Sequence, residues 1–162
     1  MKSLMIIGYG EYGHVVEEIA IDCGYKKIGF LDDKEKEALD SIDNYAKYQR
    51  EYNDFIVAIG NPVTRRLLTD KMHGAFNLVT LIHSTAIVSR NAIIEPGCII
   101  EPHVVVHRAA HIKECCIINA GAVLNHDCIV ESYSQIGCNS VVGARATVPE
   151  GTKVNHCQMF KA

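Results

Sequence analysis

The sequence predicts two architectures in one chain: a small parallel α/β sheet over residues 1–82, then a parallel β-helix over residues 83–162. Three observations carry this reading. A glycine-rich turn follows the first apolar run, strand and helix signals alternate through the first half, and a six-residue period runs unbroken from Ala86 to Cys157. Composition sets the frame: 162 residues, 48% apolar, 22% charged, no Trp and a net charge of −3. That is a globular composition, which excludes a mostly disordered chain. With no run of Lys or Arg, nucleic acid and anionic membrane are not expected partners. No apolar stretch approaches the ~18 residues of a membrane span. The opening MKSLMIIGYGEYG is too short in its apolar run for a signal peptide. Seven cysteines, an odd number, then read as reduced thiols in a cytoplasmic protein.

Ser3 to Ile7 is a short apolar strand ending in Gly8-Tyr9-Gly10-Glu11-Tyr12-Gly13. Val15, Val16, Ile19, Ala20 and Cys23 recur at helical spacing, and Gly24 stops that helix. Lys27 to Leu31 is a second strand, followed by Asp32-Asp33. Residues 34–52 are charged and weakly patterned, a loop with room for one surface helix. Asp54 to Ile59 is a third strand; after Gly60, Asn61 is a good N-cap and Pro62 a good first helical residue. Asn77 to Ile82 reads as the last strand of the sheet. Short strands with intervening helices indicate a parallel α/β sheet.

The second half is a repeat. Cut into sixes from Ala86, it gives twelve units: AIVSRN, AIIEPG, CIIEPH, VVVHRA, AHIKEC, CIINAG, AVLNHD, CIVESY, SQIGCN, SVVGAR, ATVPEG and TKVNHC. The third place is Val, Ile or Leu in all twelve, although only 21 of the 72 residues are of those types. A six-residue period is too short for a helical repeat and marks a β-helix. Each sixth makes a short strand and a corner, three sixths close a triangular coil, and twelve make four coils. Residues n and n+18 then stack at roughly 4.8 Å per coil.

Certain residues stand out chemically. Gly8-x-Gly10-x-x-Gly13, between a strand and a helix, is a phosphate-binding pattern: glycines let the backbone approach, and the helix N-terminus favours an anion. Asp32, at the end of the second strand, is placed to hold ribose or base. Eighty-two residues supply only one βαβαβ half, so a mononucleotide is expected rather than a dinucleotide. His126, in Asn125-His126-Asp127, occupies the fifth place of its sixth, an outward corner, and is the candidate general base. Spacing alone leaves a plain surface histidine as an equal alternative. The backbone N–H of Ala144, eighteen residues on, is positioned one coil above to hold a developing oxyanion. His103, His107 and His111 fall at places six, four and two of their sixths, so they form no single-chain metal face. Cys98, Cys116 and Cys128 fall on the small corner place and read as buried filler.

The period resembles that of the hexapeptide-repeat acyltransferases. The segments GYGEYGHVVEEIA, GYKKIGFLDD, VAIGNPVTRR, LIHSTAIVS and NAGAVLNHDCIV resemble, in this order, the NeuD/PglD-type sugar acetyltransferases. The resemblance implies an α/β half-Rossmann domain followed by a left-handed parallel β-helix of about four coils, assembled as a homotrimer. It implies direct, metal-free transfer of acetyl from acetyl-CoA to an amino or hydroxyl group of a nucleotide-linked sugar, of the UDP type, or of a sialic acid. The products of such enzymes feed surface polysaccharide or glycan synthesis. It places the nucleotide sugar on Gly8, Gly10, Gly13, Asp32, Asp33, Gly60, Asn61 and Arg65. It makes His126 the base, with Asp127 orienting it, and sets Gln135, Gly143 and Ala144 against the acetyl group and CoA.

Three features depart from the family: Glu11-Tyr12 replaces Gly-His, Gln135 replaces a second histidine, and the repeat has fewer coils, so that either a neighbouring subunit walls the CoA groove or CoA binds poorly. These departures favour a competing class, a non-catalytic nucleotide-sugar-binding relative. A third class, the γ-type carbonic anhydrases, predicts bound zinc.

Overall fold

The computed structural model describes residues 2–161, which divide into two compact units, Met1–Val79 and Thr80–Ala162. In the first unit four strands form one parallel sheet: β1 (Ser3–Ile7), β2 (Lys27–Leu31), β3 (Asp54–Val57) and β4 (Asn77–Leu78). Their order is β2-β1-β3-β4. Helix α1 (Glu11–Asp22) connects β1 to β2, and α2 (Pro62–Met72) connects β3 to β4. The charged stretch between β2 and β3 carries one 3-10 helix, Ile42–Tyr48. β1 is central, and all five of its residues are buried. Such a continuous Leu/Met/Ile run is what a parallel strand covered on both faces requires. The expected cap is present at α2, where the Asn61 side chain accepts from the Thr64 N–H at 2.9 Å and Pro62 opens the helix.

The second unit is a triangular parallel coil. Fourteen two-residue rungs, from Leu81–Ile82 to Met159–Phe160, stack into three parallel sheets of four, five and five strands. The pairing is eighteen residues apart throughout, as in Val105↔Val123↔Val141. The third-place aliphatics and the small first-place residues make one core, from Cys98 and Ile100 through Leu124 and Cys128 to Val148 and Val154. Full burial of one Val or Ile contributes roughly 1.5–3 kcal/mol. The Cys98 and Cys116 thiols also donate to carbonyls of the next coil, Lys113 O at 3.0 Å and Glu131 O at 3.2 Å.

Two expectations are corrected. The last strand expected over Asn77–Ile82 is two strands: Asn77–Leu78 pairs with β3, whereas Leu81–Ile82 pairs with Ile99–Ile100 as the first rung of the coil. Apolar residues lie on both sides of Thr80, so hydrophobicity alone does not show where the chain leaves one sheet for the other. The coil also exceeds four turns, because rungs at Leu81–Ile82 and Met159–Phe160 flank the twelve units.

The corners have one backbone rule. From Gly97 to Cys157, the last residue of every sixth has positive φ, between 55° and 79°. Glycine meets this freely at 97, 121 and 151, and Asp127 and Asn139 tolerate it; Ala109, Tyr133 and Arg145 adopt it at a cost.

Candidate active site and nucleotide cleft

The glycine turn is set by close approach. Gly8 has φ 111°, and its N–H donates to Leu31 O at 2.9 Å, tying β1 to β2. A Cβ on Gly13 would lie 2.2 Å from the Gly8 carbonyl oxygen, so only glycine lets α1 start this close to the strand. Gly10 is exposed and caps α1 with no side-chain bond. Glu11 is the first residue of α1 and exposed, where its charge suits the helix dipole. Beside the turn, Tyr9 packs edge-on against His14 and Phe30, with centroids 4.7 and 5.0 Å away.

Asp32 anchors this turn. One carboxylate oxygen accepts from Tyr9 N–H at 2.9 Å, the other from Lys34 and Glu35 N–H at 2.8 and 3.2 Å. Burial alone would raise the carboxyl pKa, but the three backbone donors outweigh it and hold it below the ordinary value. Asp33 accepts from Ile42 N–H at 2.9 Å. Both acids border a cleft of about 380 Å³, with Ile42, Ile59 and Leu68 as apolar wall and Thr64 and Lys34 as polar edge. It lies beyond the C-terminal ends of the strands, where parallel α/β sheets bind ligands. A larger hollow of about 650 Å³, lined by Lys2, Asp54 and Asn77 among others, lies at the N-terminal ends and contains none of the glycine-turn residues.

Gly60 and Asn61 are exposed at the start of α2. Arg65 is a correction. It is 1% exposed, and its guanidinium donates to Ile59 O at 2.7 Å and Gly60 O at 3.0 Å. An arginine one turn into a helix reads in sequence as a free anion contact; here it braces the Ile59-Gly60 turn from inside.

In the coil, His126 stands at an outward corner between the Val123–Leu124 and Ile129–Val130 rungs. Its Nδ1 lies 2.7 Å from Asp127 Oδ2, and the two side chains are 45% and 44% exposed. A carboxylate accepts, so Nδ1 carries the proton and the Nε2 lone pair is left free. Asp127 reaches the ring of its own neighbour because its φ is 59°, a conformation Asp tolerates. The hydrogen bond from His126 lowers the Asp127 pKa, with help from the Arg145 and Arg108 charges and against a smaller opposing effect of burial.

Ala144 sits one coil above His126, as the Arg145 N–H to His126 O bond of 3.2 Å shows. At this corner place the N–H finds no backbone partner in the coil. Side chains satisfy it at His126 (Asn125 Oδ1, 2.8 Å), Ala120 (Glu101 Oε2, 2.8 Å) and Cys138 (His156 Nδ1, 2.9 Å). The Ala144 N–H has no partner among the described residues. An unpaired donor above a free imidazole nitrogen is the geometry of a base beside an oxyanion site.

The fold thus brings together His126, Asp127, Gly143 and Ala144, but not Gln135. That residue faces out from the sheet of Ile117 and Lys153, away from the His126 corner. Its Nε2 donates to Asn119 Oδ1 at 2.9 Å, Asn119 donates to Glu101 at 2.6 Å, and Gln135 Oε1 is buried with no partner among the described residues. His111 pairs with Glu95 at 2.6 Å. Among the described residues no group of three or more His, Cys, Asp or Glu could hold a metal ion. Arg108 and Arg145, which bear on Asp127, were not singled out from sequence; the signal was the spacing, since Arg108 lies eighteen residues before His126.

An α/β unit with a glycine turn, followed by a left-handed hexapeptide β-helix with a histidine–aspartate pair on its corner, defines a class of acyltransferase-type fold. Residues 3–72 match the PglD N-terminal domain family. The resemblance to the NeuD/PglD-type sugar acetyltransferases holds along the chain. The acetyltransferase domain of PglB from Neisseria gonorrhoeae FA1090 superposes with a TM-score of 0.86 at 26% identity, covering 99% of this chain and 91% of that one. The same domain in complex with acetyl coenzyme A gives 0.80 at 29% identity, over 99% and 88%. PerB from Caulobacter crescentus, in complex with CoA and GDP-perosamine, gives 0.82 at 27% identity, over 100% and 84%. No helix among the described residues is long and apolar enough to cross a membrane.

Proposed function

We propose that this protein is an acetyl-CoA-dependent acetyltransferase acting on an amino or hydroxyl group of a nucleotide-linked sugar in glycan biosynthesis. The observation that carries this reading is the His126 imidazole, tied through Nδ1 to Asp127 and free at Nε2, beneath the unpaired Ala144 N–H. Nε2 takes the proton from the attacking group as its nitrogen or oxygen bonds to the thioester carbonyl. The Ala144 N–H stabilises the charge on the carbonyl oxygen, and the proton then serves the departing CoA thiolate. Gly143, beside Ala144, lets the backbone of the next coil approach closely, since a Cβ there would lie 3.2 Å from Phe160 O. The ligands of the PglB domain and PerB support this assignment. The sugar's nucleotide occupies the Asp32-Asp33 cleft, its phosphates lie at Gly8, Gly10 and Gly13 near Gly60-Asn61, and its base is uracil. The chain acts as a homotrimer, in which Gln135 of one subunit is brought toward the acetyl group at the next.

Calorimetry with acetyl-CoA tests the reading first, followed by a panel of UDP- and GDP-linked amino sugars. Micromolar acetyl-CoA binding at one site per chain, with turnover on a UDP-linked sugar, is expected. Absence of acetyl-CoA binding at millimolar concentration sinks it. The Gln135 network favours one alternative, a binding-only relative, since an amide cannot carry a proton. That alternative predicts nucleotide-sugar binding without acetyl transfer.

A further inference from the structure

Arg90, Arg108, His126 and Ala144 are spaced by eighteen residues and occupy the same corner place in four successive coils. The Asp127 N–H to Arg108 O bond of 3.1 Å fixes the stacking of Arg108 beneath His126. All three arginines of residues 80–162, namely Arg90, Arg108 and Arg145, lie at this corner, against a single acid there, Asp127. Asp127 is engaged with His126. Arg90 and Arg108 are exposed and make no ion pair among the described residues. In a chain of net charge −3, these two arginines without ion pairs occupy the same corner place in successive coils, on the side of His126 away from Ala144.

We propose that Arg90 and Arg108 form an anion-binding column that holds a phosphate or carboxylate of the acetyl acceptor beneath His126. The inference rests on the acceptor reading above and extends it to a specificity determinant. At roughly 4.8 Å per coil, an anion gripped by this column lies about 5–10 Å from the imidazole. That is the separation between a sugar's reactive group and an acidic group on the same or adjoining unit. Guanidinium forks bind either anion through paired hydrogen bonds. The acceptor is thereby oriented from below while the oxyanion is held from above.

The test needs no turnover. Backbone amide resonances of the ¹⁵N-labelled protein are followed while inorganic pyrophosphate or glucuronate is added at millimolar concentration. Saturable shifts at residues 108 and 126 are expected, weakened about tenfold or more in the Arg90→Ala/Arg108→Ala variant, with shifts at residues 8–13 unchanged. Arg108→Lys should retain part of the affinity, as a point charge without the fork. A response to pyrophosphate alone identifies a phosphate group of the acceptor other than the one at the glycine turn; a response to glucuronate alone identifies a sugar acid. No saturable shift at the column with either probe, or equal shifts in the double variant, overturns the proposal. Acetyl-CoA calorimetry on the same samples reports separately on the acetyl-transfer reading, so the two fail independently.

Discussion

His126 and Asp127 form a pair whose value is positional rather than stabilising. Both side chains are about half exposed, and an ion pair in that setting adds little to folding. His126→Ala should therefore lower kcat by roughly 10²–10⁴-fold, while the melting temperature stays at the wild-type value. Steady-state kinetics beside a thermal scan check both, and retained turnover would remove His126 as the base. The six-residue register places residue 126 at an outward corner, and the resemblance of Asn125-His126-Asp127 to the sugar acetyltransferases, rather than spacing alone, singles the pair out. Arg65 was not legible in the same way. Its position near the start of α2 suggests an exposed cation, and only the path of the chain turns its guanidinium inward onto Ile59 and Gly60. A buried charge satisfied by carbonyls leaves no periodic trace. The αL corners also act residue by residue. Ala109, at φ 57°, carries a strain that glycine relieves, so Ala109→Gly should stabilise the coil by up to about 1 kcal/mol in urea denaturation.

The glycine turn and its acid anchor act together as an element. In Gly13→Ala the new methyl meets a backbone oxygen, which cannot swing aside, so the strand-to-helix junction must open. Loss of about 1–3 kcal/mol is expected, together with loss of nucleotide binding. Asp32 gives the same junction a pH dependence of definite sign. Its carboxyl is held below the ordinary value in the folded state, so its contribution is present above the unfolded pKa and is lost as pH falls through the lowered one. Asp32→Asn should melt lower than wild type at neutral pH, and the gap should close in acid below about pH 4. A gap that stays constant down the titration would mean the carboxylate charge is not what holds Tyr9. Much of this architecture could be read from spacing, yet the first rung was missed although Thr80-Leu81-Ile82-His83-Ser84-Thr85 fits the period, with a small first and an aliphatic third residue. The positive-φ rule was hidden because six of the eleven corner residues are neither Gly, Asn nor Asp.

At the scale of the whole molecule, a stacked coil is held by nearest-neighbour terms, and its outward faces decide how it associates. On the sheet that leads into the His126 corner, every outward place is aliphatic: Ile87, Val105, Val123, Val141 and Met159 stand in one column. Ile87 and Met159 are 67% and 60% exposed in the single chain, and the valines between them are half-buried. A contiguous apolar stripe of this kind marks an association surface. The stripe lies next to the proposed base, so the proposed homotrimer and acetyl-transfer site are expected to be disrupted together. Val123→Glu places a charge at the centre of the stripe, where it would be desolvated by a partner without compensation. Sedimentation velocity is expected to show wild type as a trimer and the variant as a monomer at the same concentration, with acetyl transfer lost and the far-UV circular dichroism of the coil retained. A variant that stays trimeric, or a wild type that is monomeric and active, would separate the stripe from assembly and require one chain to supply the whole acetyl site.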